Sequence, residues 1–106
     1  MKLLTKAQFL TLVCLYRHPM HPYAIRQEII ELTDHKYYPA HSTVQQTIKA
    51  LLSAGLIEEC RSNPNYWLKA RRSAPYELTH LGKRHLDTEV SVYFKICQIV
   101  RYVTAR

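Results

Sequence analysis

Thr43-Val-Gln-Gln-Thr-Ile-Lys-Ala-Leu-Leu-Ser-Ala-Gly-Leu-Ile57 is the stretch that decides the fold. Val44, Ile48, Leu51 and Leu52 recur at helical spacing on one face, and Gln45, Gln46 and Lys49 fill the other. Gly55 ends the pattern, because a residue without a Cβ takes positive φ at little cost. The spacing predicts a helix from about His41 to Ala54. Beyond it, Leu56 to Arg61 and Pro75 to Thr79 read as short strands, the second placing Tyr76 and Leu78 on one face by alternation. Between the strands a turn signal, Asn63-Pro64-Asn65, leads into Tyr66-Trp67-Leu68-Lys69-Ala70-Arg71-Arg72. A helix closed by glycine, a strand, a basic loop and a second strand follow one another in the order of a winged helix-turn-helix.

The flanking segments supply the other helices. Upstream, Phe9, Leu12, Val13 and Tyr16 make a one-faced helix, and Thr5 three residues ahead of Gln8 forms a capping box. This helix stops at Arg17-His18-Pro19. Pro22 suits the first position of a second helix, where its missing N–H would be unpaired anyway, with Ile25, Ile29 and Leu32 as the buried stripe. Tyr37-Tyr38-Pro39 breaks the chain, since proline biases the residue before it away from helix. Downstream, about Leu81 to Val103 carries two apolar seams: Leu86, Val90, Tyr93, Cys97 and Val100, and Val92, Ile96, Ile99 and Val103. A domain this small needs one buried stripe per helix, so a second seam predicts packing against another copy of the chain. The expected class is mainly α with a small antiparallel β-wing. Residues 1–80 would be a winged helix-turn-helix DNA-binding domain, and 81–106 a C-terminal dimerisation helix within the same compact unit.

Composition is consistent with that reading. A chain of 106 residues with 47% hydrophobic content can bury a single core. The net charge of +7, with six further histidines, favours a polyanionic partner over a membrane. Arg61, Lys69, Arg71, Arg72, Lys83 and Arg84 face only Glu77 between Cys60 and His85. The apolar runs are too short to span a bilayer, and Lys6, Gln8 and Arg17 interrupt the start as a signal peptide, so a cytoplasmic protein is expected. Cys14, Cys60 and Cys97 are odd in number and widely spaced, which suits buried apolar residues rather than a disulfide framework or a zinc site. His18 and His21 flank a proline and read as turn residues rather than metal ligands. Neither a phosphate-binding glycine loop nor a paired-acid or nucleophile signature is present, so neither enzyme activity nor a cofactor is expected.

The double-stranded DNA contacts are expected from several sources. His41, Ser42 and Thr43 lie at a helix start, where N–H and hydroxyl groups hold phosphate. Gln45 and Gln46 have the amide geometry to pair with adenine, and Lys49 reaches phosphate or guanine. Tyr23 would add a hydroxyl to phosphate, while Lys69, Arg71 and Arg72 clamp the flanking backbone or enter a narrow minor groove. Trp67 either folds over the sheet or stays exposed for a partner. Dimerisation is assigned to Leu86, Val90, Tyr93, Cys97 and Val100, with the other seam beside them. Tyr93, Phe94 and Tyr102 are candidates to line a small-molecule effector pocket at that interface.

Met20-His21-Pro22-Tyr23-Ala24-Ile25, Thr43-Val44, Gly55-Leu56-Ile57 and Arg71-Arg72 leading to Tyr76-Glu77-Leu78-Thr79-His80-Leu81-Gly82 resemble the PadR-like winged-helix transcription regulators over about residues 7 to 85. Pro22, Gln45 and Ala40-His41-Ser42 depart from that family, which has Gly, an aromatic residue and a Ser-Pro-Gly turn there. The resemblance implies a sequence-specific, dimeric repressor, often responsive to a small molecule or to stress. Two other uses of the same architecture are a DNA-organising or segregation protein and a protein-interaction module.

Overall fold

The computed structural model describes residues 2–60 and 75–104, with side chains to Tyr102. The first helix, α1 (Lys6–Arg17), starts on the expected capping box: Thr5 Oγ1 accepts from the Gln8 N–H, and Gln8 Oε1 accepts from the Thr5 N–H. Helix α2 (Pro22–Leu32) has its proline at the first turn. Helix α3 (His41–Ser53) ends as the glycine predicts. Gly55 takes φ +74°, the Gly55 N–H donates to Leu52 O, and the Leu56 N–H donates to Leu51 O, so the final carbonyls are satisfied before the chain turns into a strand.

Strands β1 (Ile57–Glu59) and β2 (Tyr76–Leu78) pair antiparallel, with Ile57 opposite Leu78, Glu58 opposite Glu77 and Glu59 opposite Tyr76. They are shorter than their sequence pattern, although the Cys60 N–H still donates to Pro75 O. Met20 adds a bridge the sequence does not announce, exchanging two backbone hydrogen bonds with Tyr76. The sheet is thereby tied to the segment between α1 and α2. The last helix, α4 (His80–Thr104), follows directly.

Leu12, Ile25, Ile29, Ile48 and Leu51 form the centre of the core, joined by Leu15, Met20, Val44, Leu56, Ile57 and Leu86. Each helix therefore contributes a stripe, but three stripes are rotated from expectation. Leu15 is buried on α1 while Tyr16 is exposed. Ile30 is buried on α2 while Leu32 is exposed, and Thr47 is buried on α3 while Leu52 is exposed. Cys14 and Cys60 are buried as expected. Burial, reinforced by the nearby Glu28 charge, pushes the Cys14 thiol up to about 12, so it stays neutral and inert at physiological pH.

Helix α4 corrects the dimer assignment at its start. Its inward stripe is Gly82, Leu86, Glu89 and, half-buried, Tyr93. Leu86 is 3% exposed inside the core of its own chain, and Tyr93 packs edge-on against Phe9 of α1 at 5.0 Å. Leu86 is therefore occupied within its own chain, and Tyr93 is partly occupied by Phe9. Cys97, expected to be buried, is exposed. Glu89 is 2% exposed: its Oε1 accepts from the Leu4 N–H at 2.5 Å and lies 3.2 Å from His85 Nε2, while Oε2 has no partner among the described residues. The carboxylate thus fastens the segment before α1 to α4, which an apolar side chain at this position would leave loose.

Beyond Tyr93, α4 leaves the body of the protein. The radius of gyration is 15.5 Å and the long axis 58 Å, whereas a compact chain of this length has a radius near 13 Å. Phe94, Ile96, Ile99, Val100 and Tyr102 are exposed there, as are Val90 and Val92 just before it. No helix among the described residues is long and apolar enough to cross a membrane.

Candidate nucleic-acid interface

Helix α3 presents the candidate binding residues because the core claims its opposite side. Val44, Thr47, Ile48 and Leu51 point inward, which leaves His41, Ser42, Gln45, Gln46 and Lys49 exposed at i, i+1, i+4, i+5 and i+8 along a single outer stripe. Thr43 is half-buried at the edge of that stripe. The stripe carries hydroxyl, imidazole, amide and ammonium groups and no acid.

The start of α3 is electrostatically open. Its N-cap is Ala40, no side chain caps the first turn, and that turn contains no acidic residue. The first N–H groups therefore keep both their donor capacity and the positive end of the helix dipole. Arg26 of α2, a residue the sequence reading missed, braces this point. Its Nε–H donates to Pro39 O at 2.7 Å, immediately before the N-cap. No local pattern announces a bond that spans thirteen residues. Tyr23, at the start of α2, is 67% exposed.

The turn into α3 is tightly constructed. Asp34 and His35 both take positive φ, +52° and +62°, at the end of α2, where their N–H groups donate to Glu31 O and Ile30 O. Tyr37 lies half-buried under the Lys6 ammonium, which sits 4.5 Å from the ring centroid. These contacts fix the approach to α3 from both α1 and α2.

The wing assignment is only partly accounted for in the described residues. Lys69, Arg71 and Arg72, together with Trp67, lie outside them. The strands that bear the loop carry a like-charge pair, Glu58 directly opposite Glu77, so the cationic character expected of the wing belongs to the loop and not to its stem. Among the described residues no group of three or more His, Cys, Asp or Glu side chains is arranged to hold a metal ion.

The residues expected at a dimer seam and an effector pocket divide along α4. Val90, Cys97 and Val100 are exposed, as are Val92, Ile96 and Ile99 of the second seam, whereas Leu86 lies in the chain's own core and Tyr93, half-buried, packs on Phe9. Phe94 and Tyr102 share one groove with Cys97, Gln98 and Arg101, and Tyr93 is turned away from it toward Phe9.

No protein-family model matches the chain, and no curated protein matches it. Solved structures do. A transcriptional regulator from Clostridium thermocellum, Cth-833, superposes with a TM-score of 0.71 at 17% identity, covering 90% of this chain and 89% of that one. H. salinarum RosR superposes at 0.67 with 18% identity over 96% of this chain and 91% of that one. The adhesin competence repressor AdcR from Streptococcus pyogenes gives 0.68 at 16% identity over 97% of this chain and 66% of that one. At such identities the likeness speaks for the fold. The helices, the two-stranded antiparallel sheet and the long final helix are those of a winged helix-turn-helix regulator fold.

Proposed function

We propose that this chain is a PadR-like, sequence-specific double-stranded DNA-binding regulator that acts in the cytoplasm as a homodimeric repressor and has no enzymatic activity. The observation that carries this reading is the acid-free polar stripe of α3, exposed along its length and beginning at an uncapped helix start. Two copies related by a two-fold axis would place their α3 helices in successive major grooves roughly 34 Å apart. His41, Ser42 and Thr43 would hold phosphate, Gln45 and Gln46 would read base edges, and Lys49 would reach phosphate or guanine. Tyr23 would add a phosphate contact beside them. The PadR-like assignment rests on the motifs around Pro22-Tyr23, Gly55-Leu56-Ile57 and Tyr76 to Gly82. AdcR is a repressor, and that role comes to this chain by similarity of fold. An effector, if the dimer binds one, would meet the groove lined by Phe94 and Tyr102.

Selection of bound sites from a random duplex pool tests the whole reading. Recovery of a palindrome supports it; salt-sensitive binding without a consensus points to a DNA organiser, and no binding at low salt to a protein-interaction module. Two substitutions separate the contact types. Gln46→Ala is expected to cost about 1 to 3 kcal/mol on the selected site and little on random duplex. Equal loss on both would remove Gln46 from base reading. Arg71→Ala with Arg72→Ala should weaken binding to all sequences and flatten the log-affinity against log-salt slope by about two units. An unchanged slope would rule these arginines out as phosphate contacts.

A further inference from the structure

The end of α3 and the start of α4 meet at one hydroxyl. Thr79 Oγ1 donates to Gly55 O at 2.7 Å and accepts from the Gly82 N–H at 3.0 Å. The Thr79 backbone closes the same joint, its N–H donating to Leu56 O at 3.1 Å and its carbonyl accepting from the Lys83 N–H at 3.0 Å. Gly82 leaves no slack: a Cβ there would stand 2.0 Å from Leu56 O. Along the chain, α3 and α4 are separated by residues 54–79. Across the joint, one side chain connects the residue that terminates the reading helix to the first turn of the helix that carries the exposed seam.

We propose that Thr79 is a positioning residue that sets the angle between α3 and α4, and through it the half-site spacing the dimer accepts; this rests on the dimeric DNA-reading function proposed above. The two α3 helices of a dimer are held apart by two copies of this joint and by whatever packs along α4. Rotation at the joint is therefore multiplied along a helix of about 37 Å. One added base pair moves a half-site by about 3.4 Å and turns it by about 35°. A rigid joint rejects that change, and a loose one tolerates it.

The hydroxyl does two jobs that can be separated. As an acceptor for Gly82 N–H it caps α4, a role Asp fills equally well; as a donor to Gly55 O it holds α3, which an ionised Asp cannot do. Thr79→Asp keeps the cap and removes the tie, and Thr79→Ser keeps both. Each full-length protein should be bound to palindromes whose half-sites are separated by the selected spacing and by one base pair more or less, and to an isolated half-site. Wild type and Thr79→Ser are expected to prefer the selected spacing by about tenfold, and Thr79→Asp by less than about threefold, with half-site affinity retained. Loss of a cap alone would lower thermal stability without moving the spacing profile. A wild-type profile in Thr79→Asp would overturn the proposal.

Residual dipolar couplings of the free protein report the α3–α4 angle without DNA. A changed angle in Thr79→Asp supports the joint even if wild type selects no palindrome, an outcome that would count against the regulator reading alone. An unchanged angle refutes the joint whatever the DNA result.

Discussion

Gly82→Ala is expected to remove a large share of the stability of the fold. The added methyl would stand 2.0 Å from Leu56 O, 3.0 Å from Leu56 C and 3.3 Å from Leu78 Cδ2. The first two are backbone atoms, and the carbonyl is itself held by the Thr79 N–H, so neither can swing aside as a flexible side chain would. Relief requires α4 to retreat by more than an ångström from the end of α3, opening the core around Leu56 and Leu86. Overpacking of this kind reaches about 3 kcal/mol or more, against a total of about 5 to 15 kcal/mol for a domain, and the roughly 1 kcal/mol helix preference of Ala over Gly does not offset it. Gly55→Ala is the informative control. Its φ of +74° makes any Cβ unfavourable, but the nearest atom, Leu81 Cδ2, would be 4.0 Å away, so the cost is the left-handed backbone alone, about 1 to 2 kcal/mol. Urea denaturation of the two variants should place Gly82→Ala far below Gly55→Ala. Equal midpoints would show that α4 does not approach Leu56 as closely as the structure has it.

The contrast between these glycines also marks what the sequence could disclose. Gly55 was legible because its reason is local: an apolar period of helical spacing ends there. The Thr5–Gln8 capping box and Pro22 at the first turn of α2 are local in the same sense, and all three signals sit where the sequence placed them. Gly82 is required by a carbonyl that lies 26 positions away in the chain, at Leu56, and no pattern around residue 82 encodes that neighbour. The Arg26 bond to Pro39 O and the bond from the Thr79 hydroxyl to Gly55 O were hidden for the same reason.

Periodicity also overcounted burial wherever a helix had more apolar residues than neighbours. It grouped Leu32 and Leu52 with the core, although the directions from which α1, α2 and α3 pack bury Ile30 and Thr47 instead. Along α4 it could not separate residues covered by the chain's own α1 from residues left uncovered, so Leu86 and Tyr93 were grouped with Val90, Cys97 and Val100. Glu89 was passed over because a carboxylate interrupts an apolar stripe. Its spacing, three after Leu86 and four before Tyr93, with His85 four before it, was the available sign of a paired buried acid. On α3 the outer stripe was readable because an exposed face is defined by what the core does not use, which leaves the amides and Lys49 outside whatever the details of packing.

Ile96→Glu combined with Ile99→Glu is expected to convert a dimer into a folded monomer and to lower affinity for a palindromic site by at least about a hundredfold. In the isolated chain these side chains are 48% and 57% exposed, so charge there should change monomer stability little, within about 0.5 kcal/mol. In a two-fold seam the same pair would bring four carboxylates into one apolar contact, at a cost of several kcal/mol from desolvation and mutual repulsion. The two environments thus predict opposite results from one variant. Sedimentation velocity over a range of concentrations reads the mass, and thermal unfolding at the same concentrations reads linkage, since a dimer's midpoint rises with concentration and a monomer's does not. Wild type should show the dimer mass and a concentration-dependent midpoint, and the variant neither, while keeping its helical signal. A wild-type chain that sediments as a monomer would leave Val92, Ile96 and Ile99 exposed on one side of α4 as an apolar surface open to a different partner. The two-site reading of DNA would then have to be abandoned, because a single α3 reads only one half-site. A dimer that survives both glutamates would instead move the interface toward Val13, Tyr16, Asp87 and Val90, the groove between α1 and α4.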